Sequence, residues 1–145
     1  MTVLLDPVPG VDLARCIAGY GRPSGVAGVD KDTCDLARYT KIIQGTPAEV
    51  IIETGSGTGF SANWFADQGL DVITIDRSPH NNGAPEHPRV IRLTGSSVDP
   101  QIAARAAVLT DGRPTMVSLD ADHSRRHVAA EIDLYADLVT VGCYL

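Results

Sequence analysis

An apolar run that ends in an acid and then breaks into alternating glycines leaves a chain few folds to choose from. Residues 50–61 read Val-Ile-Ile-Glu-Thr-Gly-Ser-Gly-Thr-Gly-Phe-Ser. This is the pattern of a buried strand that turns tightly into a helix, and such turns are where α/β proteins hold nucleotide-like cofactors. The next apolar run, Asp71-Val-Ile-Thr-Ile, ends in Asp76, 21 residues beyond Gly55. One βαβ unit brings an acid to a ribose hydroxyl at a spacing of about 20 residues. Together the two features point to a nucleoside cofactor.

The rest of the chain extends the same alternation. A helix is expected over 32–44, with Leu36, Tyr39, Ile42 and Ile43 at helical spacing, Asp32 as its cap, and Gly45 and Pro47 ending it. Strands follow at 49–53, 71–76, 89–93 and 115–119, with helices at 59–68, after Pro100, and at 125–138. Gly142 leads into Cys143-Tyr144-Leu145, which reads as the opening of a fifth strand. Strands alternating with helices give a parallel sheet with right-handed crossovers. The fold class is therefore α/β, with residues 1–45 as a lead-in or lid carrying one helix and residues 46–145 as the cofactor domain.

Bulk properties narrow the partners. With 43% hydrophobic residues in 145 the composition is globular, and one domain suffices. A net charge of −6 without a basic stripe argues against a nucleic-acid partner. Cys16, Cys34 and Cys143 are odd in number and widely spaced, the signature of reduced cysteines in a cytoplasmic protein rather than of a disulfide framework or zinc knuckle. The N-terminus has no signal-peptide pattern, and no apolar run approaches the ~20 residues of a membrane span.

A dinucleotide-binding turn wants GxGxxG with Gly or Ala last, and here that position is Phe60, whose ring would hold the helix away from a pyrophosphate. The pattern of Glu53, Gly55, Gly57 and Gly59 instead resembles motif I of the class I S-adenosylmethionine (SAM)-dependent methyltransferases. SAM, NAD(P) and a purely structural turn are the three readings. Under the first, Glu53, Gly55, Ser56, Gly57, Gly59, Ser61, Asp76, Ser97 and Asp120 form the cofactor site. Glu53 anchors the methionine amino group or caps the next helix. Asp76 binds the ribose hydroxyls or pairs with Arg77. Ser96 and Ser97 meet the adenine edge or cap the helix after Pro100.

Strand 4 runs into Ser118-Leu-Asp-Ala-Asp122-His123-Ser124-Arg-Arg-His127. Carboxylates and histidines at the carboxyl end of a central strand lie where open α/β sheets do their chemistry. Asp120 is placed for the cofactor and Asp122 for a hard cation such as Mg²⁺. His123 and His127 share a face if both are helical, which leaves open a zinc pair. An Asp N-cap with solvated histidines is the plainer reading.

Glu53-Thr-Gly-Ser-Gly-Thr-Gly-Phe-Ser61, Gly95-Ser-Ser97, Asp120-Ala-Asp-His-Ser124 with His127-Val and Glu131, and Leu134-Tyr-Ala-Asp-Leu-Val139 with Gly142-Cys-Tyr-Leu together resemble the cephalosporin hydroxylase family, as does Asp35-Leu-Ala-Arg-Tyr39. The resemblance covers roughly residues 30–145. Despite its name, that family is similar to SAM-dependent O-methyltransferases and includes the methylating partner in cephamycin biosynthesis and sugar O-methyltransferases of mycobacterial glycolipids. The resemblance implies a Rossmann-like sheet of order 3-2-1-4 with helices on both faces. It implies methyl transfer to a hydroxyl of a sugar, glycolipid or antibiotic-type small molecule, assisted by Mg²⁺. Asp122 matches the first metal ligand. Apart from the resemblance, proximity in sequence makes His123 a candidate general base, or else a structural histidine. The other two metal ligands, a Glu-Asp pair, would fall just after Leu145. Phe60 departs from a position that is usually small.

The family's sheet usually has seven strands, and this sequence supplies four and the opening of a fifth. The fourth strand then lies near a bare edge, which invites pairing with a second copy or aggregation. The expectation is a shortened family member with weak or no catalysis.

Overall fold

The computed structural model describes residues 33–78 and 84–145. The lead-in before residue 33, with Asp32 as a helix cap, and the loop tip at 79–83 lie outside the described residues. Helix α1 (Thr33–Gly45) precedes β1 (Val50–Thr54), α2 (Phe60–Asp67), β2 (Asp71–Asp76) and β3 (Val90–Thr94); α3 (Pro100–Thr110), β4 (Thr115–Leu119), α4 (Arg125–Tyr135) and a single 3₁₀ turn at Ala136–Leu138 complete the order. The strands are parallel in the order β3-β2-β1-β4, as expected.

β1, β2 and β4 are short and mostly apolar because they are covered on both faces, whereas the edge strand β3 is partly exposed. Val50, Ile52, Ile73, Ile75, Leu93 and Val117 pack beneath α3 and α4, with Ile102, Ala106 and Tyr135. Ile51, Val72 and Met116 point the other way, against Ala62, Phe65 and Ala66 of α2, with Tyr39, Ile42 and Ile43 of α1 packed on that cluster. The period of two thus splits one hydrophobic sequence into two cores. Each fully buried Ile or Val side chain is worth ~1.5–3 kcal/mol.

The helix starts differ from expectation in their capping residues. Asp99, not Ser96 or Ser97, caps α3, accepting from Gln101 N at 2.8 Å with Pro100 as the first helical residue. Ser124, not an aspartate, caps α4 through His127 N at 3.4 Å. Gly59 stands at the cap of α2 with no side-chain bond, so Glu53 does not cap it. The fifth strand is not formed. Cys143 N bonds Thr140 O at 2.8 Å in a turn, and Val117 N meets Tyr144 O at 2.9 Å. This bond and that of Thr140 N to Thr115 O at 3.0 Å give residues 140–144 a foothold on the β4 edge but no ladder.

Two crossover turns touch at the carboxyl ends of β1 and β4. Gly55 has φ +79°, and a Cβ built on it would lie 2.2 Å from Asp120 O. Asp120 N in turn donates to Thr54 O at 3.0 Å, and Gly55 N to Ile75 O at 2.8 Å. Gly55→Ala therefore meets both a left-handed backbone and a steric block and should lower unfolding free energy by about 2 kcal/mol or more. Gly45→Ala, with no atom within 4 Å of the new carbon, should be neutral or stabilising by up to ~1 kcal/mol. Denaturant unfolding of the two variants checks the contrast.

Candidate active site

The face of the sheet toward α1 and α2 changes polarity along its length. Its lower rows hold Ile51, Val72 and Met116. The row above aligns Ser118, Glu53, Thr74 and Arg92 across β4, β1, β2 and β3. Register forces these four side chains to the same face, directly beneath the glycine turn.

Glu53 is fully buried. Ser61 Oγ donates to Glu53 Oε1 at 2.7 Å and Thr74 Oγ1 to Oε2 at 2.9 Å. The Ser56 hydroxyl forms a short bond with that of Thr74. One buried carboxylate therefore gathers hydroxyls from the turn, from α2 and from β2. At the ends of the row, Tyr39 Oη bonds Ser118 Oγ at 2.6 Å, and Arg92 Nη2 donates to Asn63 Oδ1 at 3.2 Å. Gly59, at φ +81°, leaves room for Arg92, whose Nη1 would stand 2.8 Å from a Cβ there.

Above this row opens a cleft of about 600 Å³. Gly55, Ser56, Gly57, Ser61, Asp76, Asp120 and His123 line it, with Asp35, Tyr39 and Thr58. Asp76 accepts from Gly57 N at 3.2 Å and from Ser78 N at 2.9 Å. His123 Nε2 lies 3.0 Å from Asp120 Oδ1, with the imidazole 79% exposed at the rim. Gly55, Asp76 and Ala121 also line a side crevice of about 60 Å³ that reaches Ser97, Arg77 and His127. Seven of the expected site residues thus share the cleft, and Ser97 joins through the crevice. Glu53 and Gly59 lie under the floor. Asp122 lines neither space.

Helix α4 braces the crevice with three residues one turn apart. His127 Nε2 is 3.0 Å from Ser97 Oγ, and Tyr135 Oη donates to Ser97 O at 2.9 Å. Between them Glu131 is completely buried. The Tyr135 hydroxyl is pushed up to about 12 by burial, with the Glu131 and Asp99 charges adding to it. His123 precedes the helix and His127 sits in its first turn, so the two rings do not share a helix face and the zinc pair falls away. Asp122 Oδ1 accepts from Ser124 N at 2.8 Å. That amide, then the Ser124 hydroxyl, then His127 and Arg77, hold Asp122 below the ordinary carboxylate range against a smaller desolvation effect. Among the described residues no group of three His, Cys, Asp or Glu side chains converges as a metal site.

The family model for rhamnosyl O-methyltransferase/CmcI matches residues 26–145. The chain belongs to the rhamnosyl O-methyltransferase/CmcI family. Rhamnosyl O-methyltransferases of Mycobacterium tuberculosis (strain H37Rv) and Mycobacterium leprae are 34% and 32% identical to it, over 79% of this chain in each case. The chain spans about half the length of these curated relatives, 51% and 54%. In fold it is similar to MycE, a methyltransferase of the mycinamycin biosynthetic pathway solved with Mg and SAH, at a TM-score of 0.64 and 17% identity over 92% of this chain and 36% of that one. The family match gives no support to the NAD(P) oxidoreductase reading.

Asp35, Tyr39 and Thr58 in the cleft and Thr74 beneath it were not singled out as site residues from sequence. Thr74 carries a legible signal, a polar residue interrupting a strand that is otherwise apolar. Thr74→Val keeps the volume but removes a donor from a buried carboxylate, and should destabilise by about 1–3 kcal/mol in denaturant unfolding. Tyr135 holds its proton to higher pH in the folded than in the unfolded chain. Its stabilising contribution is therefore whole below about pH 10 and fades as pH rises toward 12. Tyr135→Phe should cost about 1 kcal/mol at neutral pH and flatten the alkaline limb of a stability–pH curve.

Proposed function

We propose that this chain forms the cofactor half of a SAM-dependent O-methyltransferase whose acceptor is a hydroxyl of a sugar, glycolipid or antibiotic-type small molecule. The observation that carries this reading is the meeting of Asp76, the Gly55–Gly57 turn and the Asp120–His123 pair in one cleft. Its size suits a ligand of nucleoside-cofactor dimensions. SAM, when bound, supplies an electrophilic methyl group on a sulfonium.

The residues divide the work by position. Asp76 has one backbone bond on each oxygen, and lone pairs remain for two ribose hydroxyls. Ser97 faces the crevice where an adenine edge fits. Glu53 places a buried negative charge beneath Ser61 and Ser56, favouring a cationic amino group above them. Asp120 fixes the His123 ring through Nε2, which leaves Nδ1 as the atom to take a proton from an acceptor hydroxyl. As the oxygen–methyl bond forms and the sulfur–methyl bond breaks, that proton has to leave, and His123 is a cleft group able to hold it.

Asp122 stands as a candidate Mg²⁺ ligand by its place in the motif. A single carboxylate already engaged by an amide does not make a site with the described residues, so no step is assigned to a metal. A second reading, a SAM-binding module without transfer, draws on that same donor set. As for partners, no helix among the described residues is long and apolar enough to cross a membrane. Self-association through the β4 edge, only partly covered by the chain end, belongs to this proposal, as does a cytoplasmic setting.

Calorimetric titration with S-adenosylhomocysteine tests the cofactor reading. Micromolar binding is expected, weakened at least tenfold, ~1.4 kcal/mol, by Asp76→Ala. A folded chain that ignores the ligand overturns it. His123→Ala should leave that affinity within about twofold, ~0.4 kcal/mol, while cutting methyl transfer by roughly 10²-fold or more. Transfer unchanged in this variant removes His123 from the mechanism.

A further inference from the structure

The cluster behind the crevice has an unusual member. Glu131 is fully buried, and neither of its carboxylate oxygens meets a hydrogen-bond partner. Its nearest polar neighbour is His127, whose Nε2 lies 3.5 Å from Oε1. A buried carboxylate without donors is expensive, and replacing such a group by an apolar one of similar volume is often neutral or stabilising. Its presence is therefore poorly explained by stability.

The same His127 nitrogen also faces Ser97 Oγ, at 3.0 Å. A ring nitrogen is a donor or an acceptor according to whether it carries the proton. With Nε2 protonated, it donates to Ser97 Oγ, and the serine's own proton is left to point into the crevice. With Nε2 bare, it accepts that proton, and Ser97 shows the crevice only lone pairs. A carboxylate beside Nε2 favours the proton on that atom. Asp122 lies within electrostatic reach of His127, and Arg77 lines the same crevice, so a second carboxylate and a guanidinium also face this surrounding. Tyr135 holds the Ser97 carbonyl in place, so the hydroxyl is the part of Ser97 left to choose.

We propose that Glu131 and His127 are positioning residues that set Ser97 as a hydrogen-bond donor, so that the crevice selects a ligand edge carrying an acceptor, such as a ring nitrogen of a purine. This rests on the reading of the cleft as a SAM site for the ligand's identity, but the donor setting itself is a property of the ligand-free protein.

The test has two arms. In the ligand-free chain labelled with ¹⁵N, long-range proton–nitrogen correlation should show His127 Nε2 protonated, and Glu131→Met should shift that proton away from Nε2. A bare Nε2 in the parent chain overturns the proposal whatever the cofactor does. In the second arm, S-adenosylhomocysteine is titrated into the parent, Glu131→Met, Glu131→Gln, Ser97→Ala and the Ser97→Ala/Glu131→Met double variant. Glu131→Met should keep or raise thermal stability yet weaken binding about fivefold or more, and Glu131→Gln, which also removes the charge, should weaken binding in the same direction. In the Ser97→Ala background the Glu131→Met change should have no further effect. An equal loss in both backgrounds, or none in the parent background, overturns the proposal. A parent chain that does not bind overturns the cofactor reading alone, and the first arm then decides.

Discussion

One buried negative charge organises the upper half of this sheet. Glu53 has no exposure to solvent and sits in a row where its neighbours in register are Thr74 and Ser118. Burying a carboxylate among apolar side chains is costly, and at Glu53 hydroxyl donors offset that cost. Ser61 and Thr74 supply them, and Thr74 passes the constraint to Ser56. The glycine turn, the first turn of α2 and the middle of β2 are thereby fixed relative to one another before any ligand arrives. Preorganisation of this kind lets a binding site spend little on ordering itself.

The two faces of the sheet serve the cleft differently. On the α1 and α2 side, the polar row carries the floor. On the α3 and α4 side the core is mostly apolar, with Thr54 and Glu131 buried at its upper edge, and α4 reaches on to hold the loop after β3 through His127 and Tyr135. The cleft is therefore clamped from below by strands and from the side by one helix. Its rim, with His123 well exposed, is the part left least constrained.

The sheet was legible because its signals are local. Apolar runs of five or six residues bounded by Gly, Pro and Asp locate all four strands to within a residue, and their alternation with helices makes the sheet parallel, while the order 3-2-1-4 comes from the family resemblance. The cleft was legible for the same reason, since the carboxyl ends of β1, β2 and β4 bring Gly55, Asp76 and Asp120 together in any sheet of this order. Of the capping alternatives among the described residues none holds, because Asp, Ser and Glu are interchangeable caps by composition and backbone geometry selects Asp99 and Ser124. The pairing of His123 with His127 failed because a helix beginning two residues after His123 separates them. Thr74 is not marked in the sequence because its importance comes from a partner 21 residues away, and for Glu131 the spacing of four from His127 is visible but its complete burial is not.

The contact between Gly55 and the Asp120 backbone bears on how quickly a ligand can come and go. Two turns packed to van der Waals distance, each also tied to a neighbouring strand end, form a floor that cannot breathe without breaking sheet hydrogen bonds. Exchange must then proceed over the rim, past Asp35 and Tyr39 of α1 on one side and His123 on the other. The residence time of whatever occupies the cleft is accordingly set by the side chains that a visitor meets last on the way out, while the strands beneath stay still.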